Sequence, residues 1–158
     1  MSNTATARKS PRRRAREYAV QGIYQHLLSG GEAERIRLDL REDAHFGKAD
    51  GPLCDALLRG TLAARERLDT LLAPHLDRPV VELSPVEHAI LLLGAYELGE
   101  LHDTPFRVII NEGIELAKTF GGTDGHRYVN GVLDKLARGL RPFESTGRPS
   151  AGDPAGEP

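Results

Sequence analysis

Three hydroxyl–proline pairs divide this chain before any other feature is weighed. Ser10-Pro11, Ser84-Pro85 and Thr104-Pro105 each set a side-chain acceptor one residue ahead of a proline. The hydroxyl can accept from a free N–H of a first helical turn, and proline at the first helical position sacrifices no intrahelical bond. Behind each pair, apolar residues recur every three or four positions. The helix from Ser10 carries Val20, Ile23, Tyr24, Leu27 and Leu28 and stops at Gly30-Gly31. Ser84-Pro85-Val86-Glu87 reads as a capping box, with Glu87 reaching back to the cap, and its helix turns Ala89, Ile90, Leu93 and one side of Tyr96 inward. The helix after Thr104-Pro105 carries Phe106, Ile109, Ile110, Ile114 and Ala117 and ends at Gly121-Gly122.

Two further helices complete the set. Pro52 opens a segment to about Leu76 striped with Leu53, Leu57, Ala64, Leu68, Leu71 and Leu72, which Pro74 distorts or ends. Asp124 caps a last helix with Val129, Val132, Leu133, Leu136 and Leu140, closed by Pro142. Residues 32–44 are ambiguous: Ile36, Leu38 and Leu40 alternate as in a strand, while Ile36 and Leu40 also fit a helical turn. A helix is the better reading, because no partner strand is visible. Only 5% of residues are aromatic, so Leu and Ala fill the core, and both favour helix. The expectation is an all-α bundle of six to seven helices in two small packed subdomains, without a sheet, over residues 11–143. Residues 1–10 are expected to be a flexible basic N-terminus. Residues 144–158, rich in Gly and Pro with no large apolar side chain, are expected to be a disordered tail.

Charge is unevenly spread. Between residues 8 and 17 six basic side chains face one acid, so the remainder carries seven negative charges to reach a net −2. Arg12, Arg13, Arg14 and Arg16 fall in the first turns of an ordered helix, where positive charge opposes the helix dipole. A chain selected only for helix stability would place acids there, so this local conflict points to an anionic ligand. Arg13 and Tyr24 are eleven residues apart, three whole turns, and project from one face.

Other chemistry is thin. The single Cys54 excludes an internal disulfide and an all-Cys zinc site, and it is expected to be buried packing. No two of the six His are three to five residues apart, which removes the helical metal pair. Gly121-Gly122-Thr123-Asp124-Gly125 lacks the Gly-Lys-Ser/Thr ending of a phosphate loop. Glu112 and Glu115 on their helix are explained by a solvated face or salt bridges to neighbours. No apolar run approaches the ~20 residues of a membrane span, and no signal peptide precedes the basic segment. An intracellular binding module is expected, with no catalytic site, metal or cofactor.

Three stretches together resemble the NusB family of bacterial transcription antitermination factors. They are Arg12-Arg13-Arg14-Ala15-Arg16-Glu17 followed by Tyr24, VEHAILLLGAYEL at 86–98, and VIINEGIELAKTFGGTDGHRYVNGVLDKLAR at 108–138. The resemblance implies an all-helical, non-enzymatic, cytoplasmic protein. It implies binding of box A leader RNA jointly with the small-subunit ribosomal protein NusE, within the RNA polymerase antitermination complex with other Nus factors. It assigns RNA contact to Arg12, Arg13, Arg14, Arg16, Tyr24, Asp124 and Tyr128, and the partner-protein interface to Glu87, with Tyr96 and Glu82 beside it. Tyr128 stands where the family commonly has Phe, a change that keeps a stacking ring. The chemistry agrees, since single-stranded RNA recognition needs cations for phosphates and flat side chains for bases. Ordinary core packing remains the alternative for each tyrosine, and pairing with an acid of the body the alternative for Arg14.

Two other readings stay open. One is an accessory RNA-binding domain related to the N-terminal module of RNA cytosine methyltransferases, against which stands the absence of any α/β segment after the tail. The other is a helical dimerisation module whose homodimer would cover the arginine helix. On the RNA reading, Arg13→Glu with Arg16→Glu is expected to abolish RNA binding and leave helicity intact.

Overall fold

The computed structural model describes residues 9–122 and 124–145, the last by its backbone. Residues 1–8, Thr123 and 146–158 lie outside the described residues, so most of the two expected tails does too. Among the described residues eight α-helices follow one another: α1 (Pro11–Ser29), α2 (Ala33–Leu40), α3 (Gly51–Ala63), α4 (Arg65–Leu72), α5 (Pro85–Glu100), α6 (Phe106–Phe120), α7 (Gly125–Leu140) and α8 (Pro142–Ser145). Short 3₁₀ turns at Phe46–Lys48, Ala73–His75 and Val80–Glu82 join them, and there is no strand among the described residues.

The caps explain most boundaries. Ser10 Oγ accepts from the Arg13 N–H at 3.0 Å, and Gly30 closes α1 at φ 77°, a left-handed backbone that glycine adopts without a Cβ clash. Asp50 caps α3 by accepting from the Leu53 N–H at 3.0 Å, one residue earlier than Pro52 suggests. Ser84 forms its half of the capping box, accepting from the Glu87 N–H at 3.2 Å. Glu87 turns instead toward the start of α7, where a Cβ built on Gly125 would meet its Oε2 at 2.9 Å. Between Gly30 and Asp50 the helical reading holds: Ile36 and Leu40 are buried, while Leu38 between them is 54% exposed.

Three expectations are corrected. The long helix over 52–76 is two, because Ala64 leaves helical geometry (φ −101°, ψ 12°) and turns α4 onto α5. Thr104 does not cap α6; the Phe106 N–H donates to Glu144 Oε2 at 3.2 Å. Asp124 likewise stands at the cap position of α7 without a side-chain bond to it. Glu144 lies in the short helix opened by Pro142, so the described chain is helical through Ser145, two residues past the expected end of the fold.

Helices α1, α2 and α3 pack as one group, α4, α6, α7 and α8 as another, and α5 lies against both. That position suits its sequence, for a helix that is hydrophobic all round is a buried one. Residues 88–95 are all buried, including Leu91 and Leu92, which a one-sided stripe leaves out. Close approach at the α5–α6–α7 junction uses two glycines: a Cβ on Gly94 or on Gly113 would stand 2.8 or 2.9 Å from Leu133 Cδ1. Cys54 is fully buried, as expected, and burial first, then the nearby Asp55, pushes its thiol up to about 12.

Two arginines fasten this arrangement from inside. Arg16 of α1 donates through Nε to Glu97 Oε2 at 2.9 Å and through Nη2 to Oε1 at 2.7 Å, with both residues 3% exposed or less. Arg141, between α7 and α8, donates to the carbonyls of Glu97 (3.2 Å), Leu98 (3.0 Å) and Leu101 (2.9 Å) at the C-terminus of α5, and to that of Thr104 at 2.6 Å. A cation there satisfies carbonyls that the helix leaves open and complements its dipole. Glu97→Gln is expected to destabilise the fold by about 3–5 kcal/mol in urea titration, because Arg16 would stay buried without its counter-charge. Arg16→Met with Glu97→Met should recover much of that loss. Cys54 should resist alkylation at pH 8 until the chain unfolds, read by mass spectrometry against denaturant.

Candidate nucleic-acid interface

Four arginines within five residues cannot share one face of a helix. Successive helical residues turn by 100°, so Arg12, Arg13 and Arg14 fan over 200° of α1. Each consequently has its own surroundings. Arg12 is exposed and overlooks a cleft of about 490 Å³ shared with Leu53 and the loop Leu101–Thr104. Arg14 is half-buried on the other side of the helix. Neither guanidinium has a hydrogen bond or ion pair among the described residues, so both are available to phosphates.

Arg13 is engaged but reachable. Its Nε donates to Glu112 Oε1 at 3.2 Å and its Nη2 to Oε2 at 2.9 Å, with the arginine side chain 38% exposed. Hydrogen bonding to Glu112 raises its pKa above the usual arginine value, against a smaller opposing effect of burial, and Glu115 and Glu17 add to the rise. Arg16 is a correction to the sequence reading. Its carboxylate partner fills its donor fork in the interior, so it holds α1 to α5 and is not exposed at the surface. Burial opposes its charge, and the bonds to Glu97 outweigh that, leaving its pKa raised. The expected effect of Arg16→Glu is corrected with it: a second buried carboxylate beside Glu97 would break the fold, so loss of RNA binding in that variant would say nothing about contact.

Tyr24 is 37% exposed and rims a small apolar recess with Val20, Val86 and Phe120. It shares an edge with Arg13. Arg13 is bonded to Glu112 of α6, and Tyr24 stands beside Phe120, eight residues further along α6. The α1–α6 seam thus carries both residues, about 16 Å apart along the helix axis.

The second ring belongs to α7. Tyr128 of α7 is half-buried, accepts from the Asp77 N–H at 3.4 Å, and has the Arg78 guanidinium 4.8 Å from its ring centroid. Asp77 grips Arg78 at 2.6 and 2.9 Å, which holds the Asp77 carboxyl down at about 2 and fixes the cation over the ring. Burial, then the Asp77 carboxylate, raises the Tyr128 phenol. Asp124, exposed, begins the same helix, and Glu87 lies against Gly125. Asp124, Tyr128 and Glu87 therefore gather at one end of the molecule, although the resemblance divides them between RNA and protein. Arg78 joins them without having been singled out, since a lone basic residue between Asp77 and Pro79 carries no pattern.

Glu82 is exposed in the turn before α5. Tyr96 does not share a patch with Glu87. Nine residues at 100° each put the two on opposite sides of α5. Tyr96 packs its ring and hydroxyl over Gly60 of α3, where a Cβ would collide with it. That contact makes it a spacer between α3 and α5, and it remains partly exposed. Among the described residues, no three His, Cys, Asp or Glu side chains are grouped to hold a metal ion, and no helix is long and apolar enough to cross a membrane.

Residues 13–138 match the model of the NusB family. The Transcription antitermination protein NusB of Burkholderia cenocepacia (strain HI2424) is 53% identical over 141 residues, 89% of this chain and 97% of that protein. The protein of the same name from Nitrosomonas europaea is 55% identical over 136 residues, 86% of this chain and 81% of that one. Among solved structures, T. maritima NusB superposes with a TM-score of 0.75 at 29% identity, covering 88% of this chain and 99% of that one. A crystal structure of antitermination factors NusB and NusE in complex with dsRNA has the same fold, with a TM-score of 0.74 at 23% identity over 80% of this chain and 96% of that one.

The four arginines should separate by stability alone. Arg12→Ala and Arg14→Ala are expected to change unfolding free energy by no more than about 0.5 kcal/mol, as surface substitutions do. Arg16→Ala should cost about 3–5 kcal/mol by leaving Glu97 buried and unpaired, measured in the same chemical denaturation series.

Proposed function

Because the chain belongs to the NusB family, we propose that it is an RNA-binding transcription antitermination factor of the cytoplasm. It binds box A leader RNA together with the small-subunit ribosomal protein NusE. Within the RNA polymerase antitermination complex, with other Nus factors, it promotes read-through in ribosomal RNA operons. The observation that carries this reading is identity of 53–55% with proteins of that name over 86–89% of the chain. A solved assembly of the same fold, which holds NusB, NusE and dsRNA, supports the pairing of partner and nucleic acid.

The RNA-binding unit is residues 11–143. Arg12 and Arg14 supply unpaired positive charge on a helix that Arg16 anchors rigidly, and Arg13 and Tyr24 extend the surface along the α1–α6 seam. A flat ring such as Tyr24 can stack a base, and the guanidinium groups hold phosphates. Tyr128 and Asp124 act at the start of α7, with Arg78 presenting a cation stacked on a ring. Glu82 and Glu87 form the partner-protein surface at the start of α5. Two free arginines make few phosphate contacts, so this chain alone binds RNA weakly. A second protein bound alongside adds contact surface and raises the affinity.

Fluorescence anisotropy with labelled box A RNA tests this. Binding should tighten when the purified ribosomal protein is added, and a scrambled RNA should show no such gain. Equal affinity with and without the partner would refute the proposal. Arg12→Ala with Arg14→Ala should flatten the log–log salt dependence by about 1.4, two single-strand phosphate contacts at ~0.7 each.

A further inference from the structure

Arg13 is the one member of the arginine cluster that is both surface-accessible and already occupied by an acid. We infer that Glu112 sets the RNA affinity of this protein by competing with phosphate for the Arg13 guanidinium. The inference rests on the proposed RNA reading of α1 and adds to it an acid that limits how tightly RNA is held.

The geometry carries it. Glu112 engages Arg13 side-on, through Nε at 3.2 Å and Nη2 at 2.9 Å, the two-point grip that a phosphate would also use. The arginine side chain is 38% exposed and the glutamate 15%, so an incoming phosphate reaches the cation from solvent while the acid waits behind it. Glu115, one turn further along α6, and Glu17 of α1 also act on Arg13. Lys9 pairs with Glu17 at 2.8 Å. Lys118 pairs with Glu115 at 3.7 Å, so three cations stand among three carboxylates and the patch is neutral where the bare sequence shows only a basic helix. Architecture does not require this pair. The pair joins α1 to α6, while α1 is already held to α5 one turn later by Arg16 and Glu97, and with the arginine 38% exposed water screens much of its contribution to stability. What it does change is the charge that RNA meets.

Removing the acid's charge while keeping its shape should therefore strengthen RNA binding. With the full chain and the ribosomal protein present, Glu112→Gln is expected to tighten box A RNA binding about fivefold, the effect of one unit charge at ~4 Å in water. The salt dependence should steepen by about 0.7 as one further phosphate contact becomes effective. Adding Arg13→Ala to Glu112→Gln should abolish the gain. Glu115→Gln, on the solvent side of α6, should act in the same direction by a smaller factor, and it serves if Glu112→Gln proves unstable by circular dichroism. If Glu112→Gln folds and binds RNA no better, or binds worse, Glu112 is a brace that orients Arg13 and the inference is overturned while the RNA reading stands. Should the unaltered chain with its partner fail to bind box A RNA, both fall together.

Discussion

The buried pair between Arg16 and Glu97 is the interaction on which the rest of the molecule depends. It joins positions 81 residues apart and fixes the first helix against the central one. Taking two charges out of water is costly, and only the two-point hydrogen-bonded geometry repays it. Apolar side chains could bind α1 to α5 as firmly. A bidentate ion pair adds direction, since it is satisfied at one rotation and one axial position of α1. The neighbouring arginines inherit their orientation from it.

Glu97 is used twice. Its carboxylate receives Arg16 and its backbone carbonyl receives Arg141, whose remaining donors close the end of α5 and the loop into α6. One residue of the central helix thus meets the first helix and the segment between α7 and α8. Arg141 also donates to Glu144, which in turn caps α6. Glu144 of the last short helix is tied to Arg141 and to the start of α6 by polar bonds, while its large apolar side chain, Phe143, is 63% exposed.

The surface follows from the same constraint. With α1 fixed, Arg12 faces solvent and Arg14 is half-buried, neither guanidinium bonded among the described residues, while Arg13 meets the acids of α6 and Arg16 is consumed inside. A segment that reads as uniformly basic is electrostatically graded, from free cations to a fully neutralised one. The rings are graded too. Tyr24 stands open on the α1–α6 seam, whereas Tyr128 is packed under Arg78 beside Asp77.

The all-helical class, the start of α1 at Ser10-Pro11, that of α5 at Ser84-Pro85 and the stop at Gly30 were written in the local sequence, because capping and backbone freedom act within one helical turn. The stripe of Ala89, Ile90 and Leu93 marked one inward side of α5, but its central place, with Leu91 and Leu92 buried too, came only from the packing of helices on both sides. The family was legible from three stretches. The fates of four adjacent arginines were not, because Glu112 and Glu97 come from helices far along the chain and only packing brings them near. The break at Ala64, the capping of α6 by Glu144 and the seating of Tyr96 over Gly60 were hidden for the same reason. Each depends on a partner whose distance is set by the tertiary fold, and no local periodicity encodes that distance.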